Sequence, residues 1–128
     1  MSDTKRVLVV DDDPDIRFLI AKVIEKHGAQ TTLARNGKEA QQALQELEQF
    51  DLVFLDLLMP HVSGWSVLDS IKSSPTGERI PVVMVSGAPI SDKEKEKLSQ
   101  RVTAFVAKDT FKLAEFEELV ERLLAGNR

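Results

Sequence analysis

Residues 51–60 read Asp51-Leu52-Val53-Phe54-Leu55-Asp56-Leu57-Leu58-Met59-Pro60, and this stretch decides the fold class. Leu52 to Leu55 form a short apolar run without polar alternation, the pattern of a strand buried on both faces. Asp56 closes the run. A carboxylate at the end of a buried strand costs free energy unless something uses its charge. Two other strand-like segments end in the same way. Val7-Leu8-Val9-Val10 runs into Asp11-Asp12-Asp13, and Thr103 to Ala107 runs into Lys108. Acids and one ammonium at the tips of parallel strands make a site for a cation and a phosphoryl group.

Outward from these segments, strand and helix patterns alternate along the chain. Arg6 to Val10 reads as the first strand. Asp13 offers an N-cap, Pro14 suits the first helical position, and Ile16, Leu19, Ile20, Val23 and Ile24 make one apolar stripe that ends at His27-Gly28. Gln30 to Ala34 is a more polar strand, expected at a sheet edge. Asn36 and Glu39 have capping-box spacing ahead of a helix whose face is Ala40, Ala43, Leu44 and Leu47. Asp51 to Leu55 is the third strand, and Gly64 opens a helix to about Ser73 with Trp65, Leu68 and Ile71 inward. Pro81 to Val85 is the fourth strand. Ser91 and Glu94 form a second capping box before a short helix, Asp92 to about Ser99, that nearly lacks an apolar stripe. Thr103 to Ala107 and a helix from about Leu113 to Leu124 complete the pattern. Such alternation implies a parallel sheet with right-handed crossovers and helices on both faces. Ligands of such sheets bind beyond the carboxyl ends of the strands. Asp11, Asp12, Asp13, Asp56, Ser86 and Lys108 all fall there.

Composition narrows the function. The chain has 128 residues, enough for one domain with a full core. Its net charge is −4, without a basic patch, which argues against direct nucleic-acid binding. There is no cysteine, which excludes disulfides, thiolate metal sites and a cysteine nucleophile. No apolar run approaches the roughly 20 residues needed to span a bilayer. The N-terminus carries no signal-peptide pattern. A cytoplasmic location is expected.

The acids carry the chemistry. At 4 Å and an effective dielectric near 20, two carboxylates repel by roughly 4 kcal/mol. A hard divalent cation relieves that repulsion, and Mg2+ typically takes one or two carboxylates, waters and a phosphate. Asp13 reads as an N-cap, whereas Asp11 and Asp12 read as cation ligands. Asp56 is a metal ligand, a nucleophile or both. Lys108 can hold one phosphoryl oxygen, and the Ser86 hydroxyl can donate to another. Trp65 reads as packing or rim and His27 as a helix-end cation. His61 is not expected to bind a metal that prefers oxygen.

Four pieces together resemble the receiver domain of two-component response regulators: Val9 to Asp13, Asp51 to Pro60 with Ser63-Gly64, Pro81 to Ala88, and Phe105 to Lys108. The resemblance covers about residues 5–124. It implies a flavodoxin-like, doubly wound (βα)5 fold with strand order 2-1-3-4-5. It implies that Asp56 takes a phosphoryl group from a sensor histidine kinase or a histidine phosphotransfer protein. It further implies that Asp11 and Asp12 hold Mg2+, Asp12 as the direct ligand, with Asp56 and the Leu58 backbone carbonyl. Ser86 is similar to the hydroxyl that moves onto the phosphoryl group, Lys108 to its lysine partner, and Phe105 to the aromatic that reports the switch. The implied activity is a signalling switch that catalyses its own Mg2+-dependent phosphorylation and dephosphorylation, not a turnover enzyme. The fourth helix, fifth strand and fifth helix would then control a downstream protein target or another domain of a longer chain. A phosphorylation-dependent dimer fits, and a membrane or nucleic-acid partner does not.

The chain departs from that pattern at Asp109, where a proline usually follows the lysine in a cis bond. A cis bond before a non-proline costs about 3 kcal/mol, so the bond geometry here is open. Phe105 lacks the hydroxyl of the tyrosine often found there. The Lys93 to Lys97 run leaves the fourth helix little apolar surface to dock. Residues 1–128 are expected to be one receiver domain without an output domain. Asp11-x-Asp13 also resembles the start of a haloacid-dehalogenase-like phosphatase, in which Asp11 would be the nucleophile. A calcium loop over Asp11 to Asp15 lacks the central glycine and terminal glutamate. A receiver that works without phosphorylation is the remaining alternative.

Overall fold

The apolar runs become the central strands of one sheet. The structure is a computed structural model that describes residues 4–46, 50–56, 64–73, 80–87, 91–109 and 111–125. Strands and helices alternate as β1 (Arg6–Val10), α1 (Pro14–Lys26), β2 (Gln30–Ala34), α2 (Gly37–Glu46), β3 (Leu52–Asp56), α3 (Gly64–Lys72), β4 (Val82–Ser86), α4 (Asp92–Ser99), β5 (Ala104–Ala107) and α5 (Leu113–Leu124). The sheet has five strands in the order β2-β1-β3-β4-β5, and every pairing is parallel. This is the flavodoxin-like, doubly wound arrangement that the sequence implies. The chain leaves β1 outward to β2 and returns across it to β3, so β1 and β3 flank the topological switch point.

Strand alternation splits the core into two layers. Leu8, Val10, Val53, Leu55, Val82 and Met84 face one side, with Ala40 of α2, Val67, Leu68 and Ile71 of α3, and Leu98 of α4. Val7, Val9, Leu52, Phe54, Val83 and Val85 face the other, with Ile20, Val23 and Ile24 of α1 and Phe116 and Val120 of α5. β1, β3 and β4 are therefore covered on both faces, as an apolar run without alternation requires. Fully burying each large side chain, such as Phe54, Leu8 or Ile20, stabilises by about 1.5–3 kcal/mol. Phe54 also meets Phe116 in a tilted pair with centroids 5.4 Å apart. β2 lies at the edge and is the more polar strand, as expected.

Local sequence sets the helix ends. Asp13 is extended and its Oδ1 accepts from the Asp15 N–H at 2.9 Å, with Pro14 as the first helical residue. His27 is the C-cap, and Gly28 follows at φ 88°, a left-handed turn that a Cβ would strain. Ser91 and Glu94 close a full capping box on α4. Leu98 is the only buried residue of that helix, as the missing apolar stripe predicts. At α2 the box is half made. Asn36 Oδ1 accepts from Glu39 N at 2.8 Å, but the Glu39 carboxylate is drawn to the Arg35 backbone N–H and guanidinium.

Strand boundaries shift by one residue from the sequence reading. β3 begins at Leu52 and keeps Asp56, because Asp56 pairs with Val85 in the ladder. Asp51 instead clamps the start of β1: its carboxylate accepts from Arg6 N at 2.8 Å and its N–H donates to Arg6 O at 2.7 Å. β4 begins after Pro81, which lacks the N–H a ladder needs, and ends on Ser86. β5 starts at Ala104 rather than Thr103. Leu47 lies outside the described residues.

Candidate functional site

The carboxyl ends of β1, β3, β4 and β5 deliver the site. β1 and β3 pair with Val10 opposite Leu55, and Asp11 and Asp56 are the next residues along the two segments. Asp11 and Asp56 also follow Val9 and Phe54 in the strand alternation, so both belong to the layer covered by α1 and α5. Ser86 pairs with Ala107, and its carbonyl accepts from Lys108 N at 2.9 Å, which fixes where the Lys108 side chain starts. Gly87 lies beside that side chain: a Cβ there would come into ordinary contact with Lys108 Cδ, at 3.4 Å.

The result is a half-buried lysine between two buried acids. Lys108 Nζ lies 3.2 Å from Asp11 Oδ1, 3.1 Å from Asp11 Oδ2 and 3.5 Å from Asp56 Oδ2. Asp11 is 1% exposed and Asp56 2%. Asp11 Oδ1 also accepts from Asp13 N at 2.9 Å. Asp11 Oδ2 sits within ion-pair distance of Lys108 but off its hydrogen-bonding direction, and it accepts no hydrogen bond among the described residues. Asp12 is exposed at the rim. Asp11, Asp12 and Asp56 offer oxygens that all lie within 4.8 Å of one another.

Burial raises the Asp11 pKa from its ordinary 3.8. The Asp13 N–H and Lys108 oppose that rise, and the charge of Asp12 adds to it. For Lys108, burial works to lower the pKa, but the hydrogen bond and charge of Asp11, with those of Asp56, outweigh it and raise it from 10.5. The ammonium is thus held charged by acids that one cation does not fully neutralise. A buried carboxylate oxygen without a hydrogen bond, beside two further carboxylates, fits a hard divalent cation with oxygen ligands. It does not fit a nitrogen- or sulfur-seeking metal.

Leu58, given above as a backbone ligand, lies outside the described residues, as do His61 and Ala88. Phe105 stands outward on β5 and is 37% exposed. No peptide bond among the described residues is cis, so the Lys108–Asp109 bond is trans. Trp65 is half-buried against the α2–α3 layer. His27 lies far from the acids, at the C-cap of α1, with Nε2 3.8 Å from Glu117 of α5.

One residue beside the site escaped the sequence reading. Arg17 of α1 is 8% exposed, and its Nη1 donates to the Asp11 backbone carbonyl at 2.8 Å. The signal was present: positions 17, 20 and 24 share one face of a helix, so Arg17 lies on the stripe of Ile20 and Ile24.

Comparison with known proteins agrees with this geometry. The sequence profile of the response regulator receiver domain matches residues 7–123. Protein PilH of Pseudomonas aeruginosa is 32% identical over 93 residues, 73% of this chain and 74% of PilH. The receiver domain of NtrX from Brucella abortus superposes with a TM-score of 0.78 at 32% identity, over 94% of this chain and 99% of that one. The Mn2+-bound form of response regulator Rcp1 superposes with a TM-score of 0.75 at 26% identity, over 95% of this chain and 93% of that one. The chain spans only 11%, 60% and 15% of the lengths of three other curated relatives.

Proposed function

This chain belongs to the response regulator receiver family of two-component signalling, and on that footing we propose that Asp56 is its phosphoryl acceptor in a Mg2+-dependent switch. The observation that carries the reading is Lys108 Nζ set between Asp11 and Asp56 at 3.1–3.5 Å, with Asp12 beside them at the rim. In the proposed transfer, an Asp56 carboxylate oxygen attacks the phosphorus of a phosphohistidine. The P–N bond breaks as the O–P bond forms, and its electron pair leaves on the imidazole. The donor is a sensor histidine kinase or a histidine phosphotransfer protein.

Asp11, Asp12, Asp56 and the Leu58 carbonyl would hold Mg2+. When bound, the ion supplies positive charge against the oxygens of the phosphoryl group. That response regulator Rcp1 has an Mn2+-bound form supports a divalent cation as the ligand. Lys108 donates to a phosphoryl oxygen once the group has arrived, exchanging one anionic partner for another. Ser86 donates its hydroxyl to a further oxygen. The aspartyl phosphate carries about −1.5 to −2 charges in place of the carboxylate's single one, and Lys108 and the cation offset the increase. Drawing Ser86 inward shifts the loop after β4, and Phe105 leaves its outward position to fill the vacated space. The surface of α4, β5 and α5 then presents a different face to a protein target, another domain or a second copy. The chain acts as one receiver domain, in the cytoplasm, and promotes its own phosphorylation and dephosphorylation rather than turning over a separate substrate.

Incubation with acetyl phosphate and Mg2+, followed by intact-mass measurement, tests the reading. One added phosphoryl group is expected, lost in excess EDTA and in Asp56→Asn. Stoichiometric labelling of Asp56→Asn would show that the acceptor is another residue.

A further inference from the structure

Arg17 is a buried cation that the proposed transfer does not use. Burying a guanidinium is costly unless its hydrogen bonds and charge are answered. Its answer is specific. Asp11 follows the last residue of β1, so its carbonyl has left the sheet ladder, while its own N–H still donates to Ala34 O at 3.1 Å. Asp11 is 1% exposed, so water does not replace the missing ladder donor. Arg17 Nη1 supplies the bond at 2.8 Å. Three more bonds close the same turn: Asp13 N to Asp11 Oδ1, Asp15 N to Asp13 Oδ1, and Arg17 N to Asp13 O at 2.9 Å each. The Asp11 carbonyl belongs to the peptide plane that joins Asp11 to Asp12, so the bond from Arg17 fixes the direction from which both carboxylates start.

We propose that Arg17 is a positioning residue for the acidic site, holding the Asp11–Asp12 peptide plane so that both carboxylates and Asp56 converge on one cation. The proposal rests on the reading of that cluster as a divalent-cation site. Groups that orient metal-binding residues typically change metal affinity by about 10–100-fold when removed. Two effects of Arg17 have opposite signs, which makes the proposal decidable. As a charge, Arg17 repels a divalent cation, and its removal tightens binding. As a positioning group it aims the ligands, and its removal weakens binding. The guanidinium also lies 5.7 Å from the ring centroid of Phe18. The positioning effect is the larger one expected, because Arg17 bonds the Asp11 carbonyl directly, at 2.8 Å.

The test is calorimetric titration of the chain with Mg2+ in wild type, Arg17→Met and Arg17→Lys, with folding checked by circular dichroism. The expected result is a Kd about tenfold weaker in Arg17→Met, with Arg17→Lys between the two. A Kd equal to or tighter than wild type in folded Arg17→Met overturns the proposal, even if the variant melts lower. Should Arg17→Met not fold, Arg17→Lys decides. A lysine keeps the charge but not the fork, so a Kd roughly twofold or more weaker supports the proposal, and an equal or tighter one overturns it. Failure here is separable from failure of the proposed function. Wild type that binds Mg2+ but takes no phosphoryl group refutes the acceptor and leaves the Arg17 comparison standing. Wild type that is labelled, with Arg17→Met titrating like it, refutes Arg17 alone. Wild type that binds no Mg2+ refutes both.

Discussion

Replacing Lys108 by methionine strips the ammonium that lies within 3.5 Å of both the Asp11 and the Asp56 carboxylate. At 3.1–3.5 Å and an effective dielectric near 20, each Lys108–carboxylate attraction is about 5 kcal/mol before desolvation. Removing one partner of a buried pair typically costs about 3–5 kcal/mol. The loss is smaller here, because the exposed Asp12 opens the site to water. A net cost of about 2–3 kcal/mol follows for the metal-free protein at neutral pH. For a chain of this length that is roughly 10 °C in Tm. The sign with pH is set by Lys108. Its folded pKa lies above 10.5, so its contribution is complete at neutral pH and is lost only as pH rises through that value. The assay is thermal unfolding in EDTA and in saturating Mg2+. A cation at the cluster replaces part of the missing charge, so Mg2+ should raise Tm more in Lys108→Met than in wild type. Equal Tm values in EDTA, or equal gains from Mg2+, would refute the reasoning that charge imbalance governs this site.

The remaining expectations concern single residues. Asp12→Asn removes a charge that raises the Asp11 pKa, so Tm in EDTA should rise by a degree or two, about 0.5 kcal/mol, while the gain from Mg2+ shrinks. A lower Tm in EDTA would contradict this. Gly28→Ala places a Cβ at φ 88° and should cost about 1–2 kcal/mol in urea unfolding. Labelling by acetyl phosphate should be unchanged, since the turn lies at the far end of α1. Phe54→Ala empties the contact between β3 and α5, where Phe54 is fully buried. About 3–5 kcal/mol is expected, and a loss under 1 kcal/mol would mean the α5 layer is not packed as described.

Much of this was legible because it is local. The caps at Asp13-Pro14 and Ser91–Glu94 and the turn at His27-Gly28 depend on residues a few positions apart, and they form as the sequence predicts. The runs in β1, β3 and β4 report burial on both faces without reference to partners. The one-residue shifts at Asp51, Pro81 and Thr103 arise from pairing, which no single strand contains. The half-made box at α2 fails because Arg35, one residue upstream of the cap, offers Glu39 a better partner. Arg17 was missed for a related reason. An arginine on an apolar stripe reads as a helix-surface residue until the carbonyl that needs it, six residues back, is seen to leave the sheet. Asp56 and Lys108 stood out as costly charges at strand ends, and the fold brings them to 3.5 Å.

The central claim is that Asp56, rather than a neighbouring acid, carries the phosphoryl group. Acyl phosphates are reduced by borohydride, which converts a phosphorylated aspartate to homoserine. Reducing the labelled protein and sequencing its peptides by mass spectrometry locates that residue. The account predicts homoserine at position 56 alone. Homoserine at position 11 or 12 would contradict it and point instead to a phosphatase-like nucleophile at the end of β1.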